Sequence, residues 1–361
     1  MRLGFLSSDL RWHAVSILAV EFFELLDKSV FETFAFDFSR PEQTAFQSRV
    51  LGAFEHVVPI HHLDDRQAAQ VIADYQIDVL IDLNGLTSNA RPVILMHKPA
   101  HLQITWLGSL TTTGIKEVDY FLCDDIVFDI AHQNFFIEKP LFLKTGIHLH
   151  DSQREVGVTK SRSEYGLPED AFVFCCINSN YKITEVIFAR WMKILDQVQN
   201  SVLWILADND TAKATFKVRA TMAGIDSSRV IIAQRLLPHD YLASLRAADL
   251  FLDTSPYNAG TTAIDCLFVG LPILTCPGRS VASRVAAGIL EHAGFADLIA
   301  SDWHAYEKMA VAYAANPSLL AVIKQRLNDP KKMTSALFDT NAKVKDFEAV
   351  ILSALAEYAH L

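Results

Sequence analysis

The sequence predicts an α/β protein built from two doubly wound parallel sheets in tandem, and three observations carry that expectation. Short apolar runs alternate with stretches of helical spacing in both halves of the chain. A polar stretch from Asp151 to Tyr165 separates the two alternating sets. The 361 residues, 51% hydrophobic and 20% charged, suffice for two domains that each bury a core. The expected organisation is a Rossmann-like domain at 1–150, a linker at 151–165 and a second Rossmann-like domain at 166–361 that ends in helices.

In the first half, residues 2–8 form an apolar strand that ends in Ser7, Ser8 and Asp9, followed by a helix from Ala14 to Leu26. Phe31 to Phe38 and His56 to Pro59 read as strands, and Ala68, Ala69, Val71 and Ile72 recur at helical spacing between Asp65 and Tyr75. The run from Ile77 to Leu83, closed by Asn84 and Gly85, has the form of a buried parallel strand that feeds a loop. Gln103 to Leu107 and Tyr120 to Cys123 complete this set. The second set has strands at Phe172–Ile177, Val202–Leu206, Val230–Ala233, Leu250–Thr254 and Ile273–Thr275. Helices are expected at Glu185–Val198, Ala212–Met222, Asp240–Ala248 and Thr261–Val269. Further helices run from beyond Ser283 to Gly294, from Asp302 to Ala315, from Leu319 to Leu327 and from about Asn341 to Tyr358.

Composition narrows the function classes. A net charge of −10 argues against a nucleic-acid partner, which needs a basic face, although a local basic pocket remains compatible. Five cysteines, including the adjacent pair Cys175 and Cys176, offer neither a CxxC spacing nor an even disulfide framework, which suits a reducing cytoplasm. No apolar run approaches the roughly 20 residues of a membrane helix, so no membrane partner is expected. There is no GxGxxG, Walker loop or HExxH. Asp208-Asn209-Asp210 has a DxD spacing but follows an apolar strand and reads as a turn. His61, His62, His148 and His150 lack further ligands at zinc spacing and are expected at the surface.

Ligands of such sheets lie at the carboxyl ends of the strands. In the first half that rim carries His13, Asn84, Gly85 and the loop from Gly108 to Gly114, which includes Thr111 and Thr112. In the second half the strand at 250–254 empties through Pro256 and Gly260 into a helix that opens on Thr261 and Thr262. Unpaired amides and the positive end of the helix dipole make such a mouth an anion site, well shaped for a diphosphate. Asp265, four residues after Thr261, is placed to reach a ribose hydroxyl beside it. The same pattern also reads as an ordinary strand, turn and capped helix.

Longer stretches separate the two readings. The segments Ala248–Thr254, Pro256–Thr262 and Gly270-Leu271-Pro272, together with Phe172–Thr184, Gly4–Asp9, Asp82–Gly85, Trp106–Gly108, Ser201–Trp204 and Ala282–Ala286, resemble family 41 glycosyltransferases, the bacterial relatives of protein O-GlcNAc transferase. The resemblance spans essentially the whole chain. It implies the GT-B architecture, two Rossmann-like domains that face a cleft, with the donor on the second domain and the acceptor entering from the first. It implies a UDP-sugar donor, no metal or other cofactor, and Ser or Thr hydroxyls of proteins as acceptors. It places Lys182 beside the diphosphate, where a fixed ammonium stabilises the charge that develops on the leaving group. It also implies donor contacts from Asn178, Ser179, Tyr241, Gly260, Thr261, Thr262 and Asp265. His13 is a candidate base, and Asn84, Gly85, Thr111, Thr112 and Gly114 lie near the sugar and acceptor.

Three departures bear on specificity. The family usually reads Tyr-Pro-Gly-Thr where this chain has Ser109-Leu110-Thr111-Thr112. Tyr241 replaces a frequent histidine near the nucleotide, and its ring can still lie against uracil. Gly260 stands where the animal enzyme has histidine. The tetratricopeptide repeats that usually precede the catalytic part are not seen in this sequence, which suggests either a shortened chain or acceptor recognition placed elsewhere. Alternatives to GlcNAc transfer are a UDP-glucose-dependent protein glucosyltransferase, N-linked included, and a catalytically weak UDP-sugar-binding protein.

Overall fold

The apolar runs become strands because β-branched and aromatic residues fill them and helices cover both of their faces. In the computed structural model, which describes residues 1–358, the first half runs β1 (Arg2–Ser7), α1 (Ala14–Leu25), β2 (Glu32–Asp37), α2 (Ala45–Gly52), β3 (His56–Pro59), α3 (Asp65–Asp74), β4 (Val79–Asp82), α4 (Pro92–Met96), β5 (Leu102–Thr105), β6 (Tyr120–Cys123) and β7 (Lys139–Phe142). The strands pair in parallel in the order β3-β2-β1-β4-β5-β6-β7. Leu6, Phe34, Phe36 and Leu80 join Ile72 and Ile94 in one buried cluster. Phe5 points to the opposite face, where its ring meets Phe23 at 5.0 Å.

The second half runs β8 (Phe172–Cys176), α5 (Glu185–Gln197), β9 (Ser201–Leu206), α6 (Asp210–Met222), β10 (Val230–Ala233), α7 (Pro238–Leu245), β11 (Leu250–Leu252), α8 (Thr261–Val269), β12 (Ile273–Leu274), α9 (Val285–Ala293), α10 (Trp303–Ala315) and α11 (Pro317–Asn328). Its strands are parallel in the order β10-β9-β8-β11-β12. Both sheets turn back on themselves in the same way, beside β1 in the first and beside β8 in the second. The gaps between β1 and β4 and between β8 and β11 are therefore topological switch points, where ligands of doubly wound sheets bind.

Three elements were not expected from the sequence: α2, α4 and β7. Thr44 starts α2 as an N-cap that accepts the Gln47 N–H, and Pro92 opens α4. Strand β7 contains Pro140, which a sheet tolerates at its edge, and β7 is the outermost strand of its sheet.

The final helix, α12 (Thr340–Tyr358), corrects the expected division of the chain. One compact unit comprises Met1–Gln153 together with the stretch from Thr334 onward, and the other is Arg154–Met333. The tail expected with the second domain therefore completes the first; residues 359–361 of that expected domain lie outside the described residues. The cause is a set of buried contacts. Phe347 stacks on Trp106 at 5.2 Å and meets Phe22 edge-on at 5.0 Å. Asp346 accepts the Thr145 N–H at 2.8 Å, and the Lys343 ammonium donates to the carbonyls of Thr145 and Gly146. The expected linker is tied down as well. Asp151 is buried under Arg49 in the first unit, while Gly157 donates its N–H to the His239 carbonyl in the second.

Candidate functional site

In the second unit the loop after β11 is shaped by Asp253. This fully buried carboxylate accepts the N–H groups of Thr254 and Ala259, both at 2.8 Å, and the Thr275 hydroxyl at 2.6 Å. Burial still pushes its pKa up to about 6. Tyr306 of α10 donates its hydroxyl to the Asp253 carbonyl, and the Trp191 indole of α5 donates to Tyr306. The closed loop delivers Gly260 as the N-cap of α8, with no side chain capping the helix. A Cβ built on Gly260 would meet only Val285, at 3.8 Å. Thr261 and Thr262 are half-buried beside this mouth.

Lys182 closes a short 3-10 turn, Asn180–Lys182, between β8 and α5. Its Nζ donates to the Asn258 carbonyl at 2.9 Å and lies 4.1 Å over the Tyr257 ring. Burial lowers the lysine pKa to about 8, with Asp253 pulling the other way. The Lys182 ammonium and the uncapped mouth of α8 thus come from two different loops, which meet at the Asn258 carbonyl.

Other expected donor contacts are placed differently. The Asp265 carboxylate is buried and held by Arg154 at 2.5 Å, and it hydrogen-bonds the Tyr241 hydroxyl. Burial, and then the neighbouring carboxylate, raise the Tyr241 pKa well above its usual value. Asp265 is therefore a partner of two side chains of its own unit and not an open ribose acceptor, and the polar end of Tyr241 is engaged inside the fold. Asn178 is also buried; its amide nitrogen donates to Thr254 Oγ1 at 2.9 Å, which ties β8 to the β11 loop. Ser179, half-buried, precedes the Lys182 turn.

In the first unit His13 is the N-cap of α1. Its Nδ1 accepts the Val15 N–H at 3.4 Å and lies 3.5 Å from Asp9. Burial lowers its pKa, offset in part by Asp9. Asn84, expected at the acceptor, is buried: Oδ1 accepts the Ser8 N–H at 2.9 Å, and Nδ2 donates to Ser8 Oγ, Asp9 and Thr87. It positions the β1 and β4 loops against each other. Gly85 has a φ of 57°, and a Cβ there would meet the Ser109 side chain at 2.7 Å, so glycine is required by both conformation and space. Thr112 is turned onto Glu138, which accepts its hydroxyl at 2.7 Å and is itself almost fully buried. Thr111 and Gly114 are exposed.

Four groups that matter here are not among the site residues the sequence predicts. Asp82 and Asp253 each follow an apolar strand and precede a polar loop, a signal that was present; nothing marked Glu138 or Arg154. Asn209 caps α6, so the DxD spacing is a helix start, and Asp208 pairs with Arg235. His148 and His150 are buried, contrary to expectation, because they belong to the stretch on which α12 packs; His150 meets Phe338 edge-on at 4.9 Å. His61 and His62 are exposed. No helix among the described residues is long and apolar enough to cross a membrane.

Comparison with known proteins identifies the family. A probable UDP-N-acetylglucosamine–peptide N-acetylglucosaminyltransferase of Arabidopsis thaliana is 30% identical over 355 residues, which is 96% of this chain and 36% of that protein. The Caenorhabditis elegans UDP-N-acetylglucosamine–peptide N-acetylglucosaminyltransferase is 25% identical and covers 97% of this chain, over 40% of its own length. The chain thus spans well under half the length of these relatives. A mutant of the Thermobaculum terrenum O-GlcNAc transferase superposes over 100% of this chain and 68% of its own, with a TM-score of 0.93 at 21% identity. Anabaena HepE in complex with UDP superposes over 97% of this chain and all of its own, with a TM-score of 0.61 at 11% identity. The fold is thus that of GT-B glycosyltransferases. The family profile described as glycosyl transferase family 41 matches residues 1–157 and 150–347, and the chain belongs to that family.

Proposed function

We propose that the chain carries an inverting glycosyltransferase activity that moves GlcNAc from UDP-GlcNAc to Ser or Thr hydroxyls of polypeptides. The observation that carries this reading is the Lys182 ammonium, 2.9 Å from the Asn258 carbonyl, two residues before the uncapped start of α8. The acceptor oxygen attacks the anomeric carbon, the bond from that carbon to the diphosphate oxygen breaks, and the electron pair leaves with UDP. Lys182 and the amides at Thr261 and Thr262 neutralise the charge that gathers on the leaving group, so the mechanism needs no metal. The acceptor proton passes to His13 or to water. The donor and acceptor named for the Arabidopsis and Caenorhabditis relatives support the choice of sugar and of polypeptide. Five free, buried cysteines suit a reducing cytoplasm.

UDP release and peptide mass shift, measured with UDP-GlcNAc and a Ser/Thr peptide library, test the proposal. Lys182→Ala should lower kcat by about 10²–10³-fold. Transfer at near wild-type rate in that variant overturns the mechanism. UDP binding without transfer to any peptide identifies a binding protein instead. A second reading rests on the loop at Ser109 to Thr112, where Thr112 is locked onto Glu138. Faster hydrolysis of UDP-glucose than of UDP-GlcNAc would favour that glucosyltransferase reading.

A further inference from the structure

A cavity of about 610 Å³ lies in the first unit, at the carboxyl ends of β1, β2, β3 and β4. Arg11, Arg40, Arg91, His61 and Asn89 bring polar groups to its wall, with the Phe38 ring among them, and no acidic residue lines it. Three guanidiniums around one opening are unexpected on a chain of net charge −10. Two of them are fixed from behind. Arg91 donates through Nε to Asp65, through its other nitrogens to the carbonyls of Ile60 and Leu63, and stands 5.7 Å over Phe38. Arg11 donates to the Ser8 carbonyl and to Glu42 at 3.2 Å, with Asp9 4.0 Å away. Each retains N–H groups beyond these bonds, because a guanidinium carries five. The side chain of Arg40 is exposed and makes no ion pair or hydrogen bond among the described residues. Preset forks with unused donors, and one guanidinium held in reserve, supply the donor chemistry that an oxyanion takes.

We propose that this pocket binds an oxyanion carried on the polypeptide acceptor, a carboxylate or phosphate near the modified hydroxyl. The assignment rests on the proposed polypeptide transfer, and position supports it. Arg11 is two residues from His13, so an anion seated here places its own chain beside the candidate base. The pocket is lined by residues of the first unit alone, whereas Lys182 and α8 belong to the second. It would select acceptors with acidic residues beside the modified Ser or Thr.

Fluorescence anisotropy with two labelled peptides tests this directly, and it reads binding whether or not transfer occurs. One peptide carries a run of Glu beside a Ser, the other Gln at the same places. The Glu peptide should bind the full chain about tenfold or more tightly. The double variant Arg40→Gln/His61→Gln should remove most of that difference and flatten its salt dependence, while UDP affinity stays unchanged. Lys116→Gln, which removes one exposed charge elsewhere on the unit, should leave it intact. Equal binding of the two peptides, or an equal loss in Lys116→Gln and the double variant, overturns the pocket. Inorganic phosphate should compete only weakly; saturation by phosphate at lower concentration than by the Glu peptide shows a site for a free anion and overturns the acceptor assignment. If the Glu peptide binds as expected but is never glycosylated, the pocket stands as an anion site and the transferase reading fails on its own.

Discussion

Lys182 is held in a deliberate compromise between burial and charge. Its pKa of about 8 in the free chain means that the ammonium is largely present at pH 7 and largely lost by pH 9. A bound diphosphate favours the charged form, so binding takes up a proton above pH 8. UDP affinity should therefore fall about tenfold between pH 7 and pH 9, and calorimetry across that range should find no such slope in Lys182→Met. Phosphate protonation contributes only below this window. Asp265 presents the reverse case. Its carboxylate and Arg154 are both largely buried, so removing one partner strands the other. Arg154→Met should cost about 3 kcal/mol of unfolding free energy in urea, and Tyr241→Phe about 1 kcal/mol. Lys182 was legible in the sequence because it sits in a long motif after an apolar strand. The engagement of Asp265 was not, because its partner lies 111 residues away in the chain and local spacing carries no trace of it.

At the scale of elements, the two sheets repeat one device at their switch points. Asp82 ends β4, accepts the N–H groups of Asn84 and Gly85, and faces the Thr105 hydroxyl of β5. Asp253 follows β11, accepts two loop amides and takes the Thr275 hydroxyl after β12. In both, burial lifts the carboxyl to about pH 6. A buried Asp–Thr pair thus fixes where each rim loop begins. The strands and their order of alternation could be read from apolar runs, since fully buried parallel strands are continuous hydrophobic stretches. This repeat could not, because it consists of a few side chains met only across neighbouring strands. The uncapped start of α8 follows from the same loop. A carboxylate introduced at the N-cap would satisfy the first amides and repel a diphosphate from them. Gly260→Asp, for which the added Cβ has room, should lower UDP affinity at least about tenfold without lowering the melting temperature. A loss of fold would instead show that glycine serves the turn.

For the whole molecule, the decisive feature is that one unit is continuous in sequence and the other is not. Arg154–Met333 holds β8 through β12 with Lys182, the Asp253 loop and α8, so everything proposed to grip the diphosphate lies in one uninterrupted segment. The other unit needs both ends of the chain. Without α12, Phe22 and Trp106 lose the Phe347 ring that packs against both of them, and truncating such a buried aromatic costs about 3–5 kcal/mol. The sequence concealed this because α12 has an ordinary amphipathic pattern, and periodicity says that a helix buries one face without saying against what. The segments should behave accordingly. Residues 154–333 expressed alone should unfold cooperatively and bind UDP within about threefold of the full chain, a difference of less than 1 kcal/mol. Residues 1–153 alone should expose apolar surface and bind a hydrophobic dye, and co-expression with 334–361 should restore a cooperative transition. If 154–333 folds yet fails to bind UDP, the diphosphate is held by more than Lys182 and α8, and the donor site must draw a residue from the first unit.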